Sequence, residues 1–119
     1  MNKWSFGIDN DKLIKLVLDG KKCATTSNYD PNELPIIGQQ SIITFDNGKD
    51  ACIVETTDFK VLKFKEIDNK LSDLEGEGPF ESWRKNHIKF FKKYDDDFND
   101  DTLVVFETFK LIEDLTKKH

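Results

Sequence analysis

The sequence predicts an α+β domain in which a curled sheet forms a small β-barrel flanked by two main helices. Three observations carry that expectation. Two stretches repeat their apolar residues at helical spacing, four or five others read as extended, and one extended run is too long to stay flat. A strand that bulges bends its sheet toward closure. The 119 residues suffice for one domain with a real core and not for two, so a single site is expected.

Asp9 or Asn10 is placed to cap the first helix, whose Leu13, Leu16 and Val17 share a face that Ile14 and Leu18 widen. Gly20 ends it, having no Cβ to oppose a left-handed closing residue. Residues 21–29 continue as an extended stretch rich in Thr and Ser, and Asp30-Pro31-Asn32-Glu33-Leu34-Pro35 reads as a surface loop. Ser41–Phe45 and Ala51–Phe64 flank Asn47-Gly48, a hairpin signature, and the second run needs a bulge near Thr57-Asp58. Ile67, Leu71 and Leu74 predict a short helix before Glu75-Gly76-Glu77-Gly78-Pro79 forces a turn. Phe80, Trp83, His87, Phe91 and Tyr94 alternate by three and four along one face of the second main helix; Lys85, Lys89, Lys92 and Lys93 cover much of the rest. Past an acidic break, a closing strand spans Thr102–Ile112 with Leu103, Val105, Phe109 and Leu111 on one side, and the polar tail over 113–119 is expected to fray.

Composition narrows the partners. A net charge of −5 repels a polyanion at long range unless the lysines gather on one face. Arg84 is the only arginine, so bidentate readout of bases or phosphates has almost no raw material. A small ligand or a single nucleotide is easier to hold than a long duplex. No apolar run approaches the ~20 residues of a membrane span, the N-terminus lacks the order of a secretory signal, and Cys23 and Cys52 are too few for a disulfide framework. The expectation is a reduced, cytoplasmic protein with no membrane partner. Cys23, Cys52 and His87 lack zinc spacing. Asp95, Asp97 and Asn99 begin a calcium loop that fails at Asp100 and Phe106, where Gly and Glu are required, so neither metal nor cofactor is expected.

The segment Gly20-Lys21-Lys22-Cys23-Ala24-Thr25-Thr26-Ser27 carries the chemistry, because a helix-to-strand junction can aim ammonium and hydroxyl groups into a cleft. A lysine beside a threonine can activate a weak nucleophile. The same residues also suit a solvated helix end and a strand, and a spacing of three sends Lys22 and Thr25 to opposite faces unless the chain twists. Glu77 sits between two glycines that let its backbone approach a ligand, with Glu75 its rival. Glu55 points into the barrel mouth or out to water. Trp83 and His87 stack on a base or, as is commoner in an apolar stripe, fill the core.

In order along the chain stand Trp4-Ser5-Phe6-Gly7, Gly20-Lys21-Lys22 with Ala24-Thr25, Pro35 and Gly38, Val54-Glu55-Thr56-Thr57, Glu75-Gly76-Glu77-Gly78, Trp83-Arg84 with His87, and Val104-Val105-Phe106-Glu107. This ordered set resembles ASCH domain proteins over nearly the whole chain. The resemblance implies a PUA-like fold, a small β-barrel with a cleft at its mouth, in a superfamily associated with RNA and modified nucleosides. Some small ASCH proteins look like amidohydrolases of N4-acylated cytidine derivatives, with a Lys base, a Thr nucleophile and a Glu; others cut RNA. By motif order Lys22, Thr25 and Glu77 take the catalytic places, and Lys21, Ser27, Glu55, Glu75, Trp83 and Arg84 are the ligand-binding candidates. Ser27 stands where the amidohydrolase pattern has an arginine. The implied partner is a nucleoside-like small molecule or RNA, turned over by hydrolysis or, in the alternative, only bound.

Overall fold

A computed structural model describes residues 1–117. Helix α1, Asn10–Leu18, buries Leu13, Ile14 and Val17 and ends as its glycine predicts. Gly20 has φ 76°, its N–H donates to the Val17 carbonyl at 3.0 Å, and the Lys21 N–H donates to the Leu16 carbonyl at 2.9 Å. That double closure turns the chain sharply and sets Lys22 two residues ahead of the next strand. The other end of α1 differs from expectation. Asp9, at φ 48°, makes no side-chain cap, and buried Asn10 instead accepts from the Phe6 N–H at 2.8 Å and donates to the Thr44 carbonyl at 2.9 Å. Asn10 therefore braces two segments 34 residues apart.

Five strands form one sheet in the order β1-β3-β4-β5-β2. They are β1 (Asn2–Trp4), β2 (Ala24–Asn28), β3 (Gln40–Thr44), β4 (Asp50–Lys63) and β5 (Leu103–Asp114). The β1–β3 pair is parallel and the other pairings are antiparallel. Asn47-Gly48 makes the β3–β4 hairpin, with Gly48 at φ 87°. The long strand β4 breaks register between Thr56 and Asp58, where the sequence demands a bend, and again between Ile53 and Val54. Those bulges curl the sheet into a half-barrel whose end strands, β1 and β2, border an open seam.

Two apolar clusters share this sheet. Phe6, Ile14, Ile43, Cys52 and Phe109 pack with α1, while Ala24, Phe64, Trp83, Phe91 and Phe106 pack beneath α3, Phe80–Lys92. Strand β5 is covered on both faces, which is why its middle reads as a continuous apolar run. Leu103 and Leu111 are exposed, contrary to the expected one-sided stripe; Val104 and Phe106 are buried on the opposite side. Helix α3 stops at Lys92, and Tyr94 lies beyond it in solvent. A 3-10 turn over Phe64–Glu66 and helix α2, Asn69–Asp73, lead into the Glu-Gly-Glu-Gly loop. Glu113 and Asp114, expected in a frayed tail, pair with Ile53 and Cys52 of β4; residues 118–119 of that tail lie outside the described residues. No helix among the described residues is long and apolar enough to cross a membrane.

Candidate functional site

The junction between α1 and β2 is clamped to the Glu-Gly-Glu loop by its backbone. The Cys23 N–H donates to the Leu74 carbonyl at 2.8 Å. Gly76, at φ 66°, lies so close to the Lys21 carbonyl that a Cβ would stand 2.2 Å from its oxygen. Only glycine permits this approach, and the approach swings both flanking glutamates over Lys22.

Lys22 is buried, with its side chain 1% exposed, and its Nζ donates to Glu77 Oε2 at 2.6 Å and Glu75 Oε1 at 3.3 Å. The Phe6 ring centroid lies 5.2 Å from the same ammonium. Thr26 Oγ1 donates to Glu75 Oε2 at 2.7 Å, so each oxygen of that buried carboxylate is held. His87 enters from α3. Its Nδ1 donates to the Trp83 carbonyl at 2.8 Å, which turns Nε2 toward Glu75 Oε1 at 3.6 Å. Because Nδ1 must carry a proton to meet a carbonyl, a lone pair on Nε2 would face a carboxylate. The imidazolium relieves that conflict.

Electrostatics divides the two glutamates. Burial alone would push the Glu75 carboxyl up, but His87, Lys22 and the Thr26 hydroxyl together hold it at about 2, firmly ionised. Glu77 goes the other way, pushed up by burial and by the charge of Glu75 against the opposing pull of Lys22. Burial would lower His87, yet Glu75 and then Glu77 outweigh it and raise that pKa. One carboxylate is thus fixed in its charge while its neighbour is brought nearer to exchanging a proton.

Lys22, Glu77, His87 and Thr25 line a cavity of about 250 Å³ together with Phe6 and Phe90. Beside it lies a cleft of about 500 Å³ along the open seam, with Lys3 and Trp4 of β1 on one side and Thr25–Asn28 of β2 on the other. Phe6, Gly7, Thr25, Thr26 and Phe90 line both spaces, which makes them two chambers of one concavity.

Of the residues the sequence nominates, Lys22, Glu75 and Glu77 meet directly. Thr25 lines both chambers, but its hydroxyl makes no hydrogen bond to Lys22 or Glu77 among the described residues. Ser27 lines the seam alone. The remaining ligand-binding candidates are not brought to the site. Lys21 is exposed and contributes only its backbone to the Gly76 contact. Glu55 is engaged by Gln40 at 3.2 Å and Lys110 at 3.4 Å and lines neither chamber. Trp83 is 1% exposed in the core, its ring stacked on His87 with centroids 4.3 Å apart, so it orients the histidine instead of a ligand. Arg84 points away, paired with Asp100 over the face of Phe64.

Sequence reasoning underrated His87 and passed over Thr26 and Glu107. Strand parity was the available signal: Lys22, Ala24 and Thr26 recur with period two, and all three are buried. Glu75, Glu77 and His87 also present potential metal-ligand atoms within 4.8 Å of one another. The Lys22 ammonium is already bonded to both of those carboxylates and supplies the positive charge that a cation would bring.

No curated protein matches the chain. An ASCH domain of known structure from Lactobacillus crispatus is 27% identical, with a TM-score of 0.87 over 94% of this chain and 79% of its own. A protein of Enterococcus faecalis is also 27% identical, with a TM-score of 0.85 over 99% of this chain and 84% of its own. The half-barrel, its three helices and the clamp that presses Glu-Gly-Glu onto a buried lysine are thus set in a known framework. Because the ASCH domain model matches residues 2–113, the chain belongs to the ASCH domain family.

Proposed function

We propose that the two-chambered concavity binds a nucleoside-like molecule and hydrolyses an acyl group from its base nitrogen. The observation that carries this reading is the buried Lys22 ammonium bonded to Glu75 and Glu77 at a cavity that Thr25 also lines. Thr25 Oγ attacks the acyl carbon, and its proton passes to the Glu77 carboxylate. Lys22 offsets the developing oxyanion. The C–N bond breaks as the leaving nitrogen takes the proton from Glu77. Water then adds to the acyl-threonine, gives a proton to Glu77, and the C–O bond to Thr25 breaks as that proton returns to Oγ. Lys22 acts as a base only in concert with Glu77, its partner at 2.6 Å, because a proton must first leave the ammonium. Glu75, held ionised, fixes Lys22 and His87 in place.

Purified protein should release cytidine from N4-acetylcytidine. Thr25→Ala should lower kcat by at least about a hundredfold with KM little changed, since it removes the nucleophile and leaves the pocket. A wild-type protein that is inert toward acylated nucleosides, or a Thr25→Ala variant with undiminished turnover, ends the proposal. A binding-only role toward RNA is favoured by a separate observation. Lys89 near the end of α3 and Lys93 just past it are exposed at the cavity rim, in a PUA-like fold often linked to RNA. In that case affinity falls steeply with salt, whereas a neutral nucleoside responds little.

A further inference from the structure

We infer that Glu107 is a second ligand contact, which reads an N–H donor from the seam side of the concavity; this rests on the reading of the site as a nucleoside pocket. Strand pairing sets Glu107 of β5 directly opposite Thr25 of β2. Residues so paired share a face of the sheet with Cβ atoms about 5 Å apart. Both line the cleft of about 500 Å³.

Glu107 is half-buried there with little to satisfy it. The Thr56 hydroxyl donates to Oε2 at 2.6 Å, and Oε1 has no hydrogen-bond partner among the described residues. The other charged residues lining the cleft do not help, since Lys3 is committed to Asp50 at 3.0 Å and Glu33 is acidic. A carboxylate partly withdrawn from water with no cation beside it is disfavoured. Burial accordingly pushes the Glu107 carboxyl up, with Thr56 offsetting part of the effect. An acceptor left open inside a concave site is complementary to a ligand's amine or amide N–H. A molecule whose reacting carbonyl lies at Thr25 Oγ carries the adjoining nitrogen within reach of Glu107.

The test compares cytidine with the pyrimidin-2-one ribonucleoside that lacks only the 4-amino group, by calorimetry on wild type and Glu107→Gln. Wild type should favour cytidine by about tenfold, the value of one hydrogen bond to a charged group, and Glu107→Gln should bind the two within about twofold of each other. Unliganded Glu107→Gln should also melt higher than wild type at pH 7, because the amide keeps an acceptor for Thr56 and removes the uncompensated charge. A variant that retains the preference, or one that melts lower, overturns the inference by making Glu107 a structural residue. Wild type binding both nucleosides equally overturns it as well while the nucleoside pocket stands. Wild type binding neither removes the pocket reading and this inference together.

Discussion

Two carboxylates in this half-barrel live under opposite conditions. Glu75 is 1% exposed and receives a lysine, a threonine hydroxyl and a nearby histidine. Glu107, half-buried at the seam, receives one hydroxyl from Thr56. Burial alone disfavours charge at both, yet the partners reverse its effect only at Glu75. A buried charge is tolerated where several elements converge on it, here the α1–β2 junction, the Glu-Gly-Glu loop and α3. The seam has one strand edge on each side and no such convergence, so its polar groups are left for something else to satisfy.

The sharpest way to break this comparison is to strip Glu75 of its cation. Lys22→Met leaves two carboxylates facing each other with only the His87 imidazolium beside them and should destabilise the fold by about 4 kcal/mol, the order found when one member of a buried pair is removed. Urea denaturation measures it. Lys22→Met combined with Glu75→Gln should recover a large part of the loss, because the uncompensated charge leaves with the carboxylate. A single variant as stable as wild type would show that the network does not depend on Lys22.

The clamp that assembles the network is tested next. Gly76→Ala meets the Lys21 carbonyl at 2.2 Å in addition to a left-handed backbone, whereas Gly78→Ala, at φ 103°, has nothing within 4 Å. Backbone conformation alone costs on the order of 1–2 kcal/mol at either position. Gly76→Ala should exceed Gly78→Ala by at least about 1 kcal/mol and lower the affinity for any cavity ligand, since the loop must withdraw from Lys22. Equal effects at the two glycines would show that close approach is not what positions Glu75 and Glu77.

This pair of glycines also marks how far the sequence could be read. The stop at Gly20, the hairpin at Asn47-Gly48 and the bend near Thr57-Asp58 are local, because each follows from the steric needs of a few neighbouring residues, and each stands where expected. The contact of Gly76 with Lys21 joins residues 55 apart, as does the bond of Lys22 to Glu77, and no local pattern encodes such a distance. Local pattern marked Lys22 and Glu77 as candidates, and motif order alone suggested that they belong to one site. Glu75, flagged as a rival of Glu77, proves to be the centre of the buried network, and His87 changes from core filler to a wall of the cavity because Trp83, stacked on it, takes the core position.

A smaller effect comes from pH. The depressed Glu75 contributes its stability fully above its ordinary 4.5 and loses it as the pH falls through about 2. His87, raised, contributes fully below its ordinary 6.5 and loses that contribution as the pH climbs through its folded value. Raised Glu77 opposes Glu75, since its contribution is full below its ordinary 4.5 and is lost as the pH climbs through its folded value. The network should therefore support the fold best near pH 4.5, declining below it as Glu75 is protonated and above it as first Glu77 and then, past 6.5, His87 gives up its proton. His87→Gln should flatten the part of the alkaline decline that lies above about pH 6.5 and leave the acid side in place. Melting temperatures recorded from pH 3 to 9 decide the point, and an unchanged alkaline slope in His87→Gln would assign it elsewhere.

The least effect belongs to the cation that the sequence offered as a ligand contact. Arg84 has a side chain 33% exposed and is paired with Asp100, itself 52% exposed, so water screens the interaction and the pair contributes little. Its stem also covers part of Phe64, with the guanidinium 5.8 Å from the ring centroid, which adds packing that Lys22 does not need. Arg84→Ala should cost no more than about 1 kcal/mol, a fraction of the Lys22→Met loss, and should leave ligand affinity unchanged because neither chamber touches it. A tenfold fall in affinity would place part of the ligand on the outer face of α3, beyond the rim at Lys89 and Lys93, as an extended RNA strand requires and a nucleoside confined to the concavity does not.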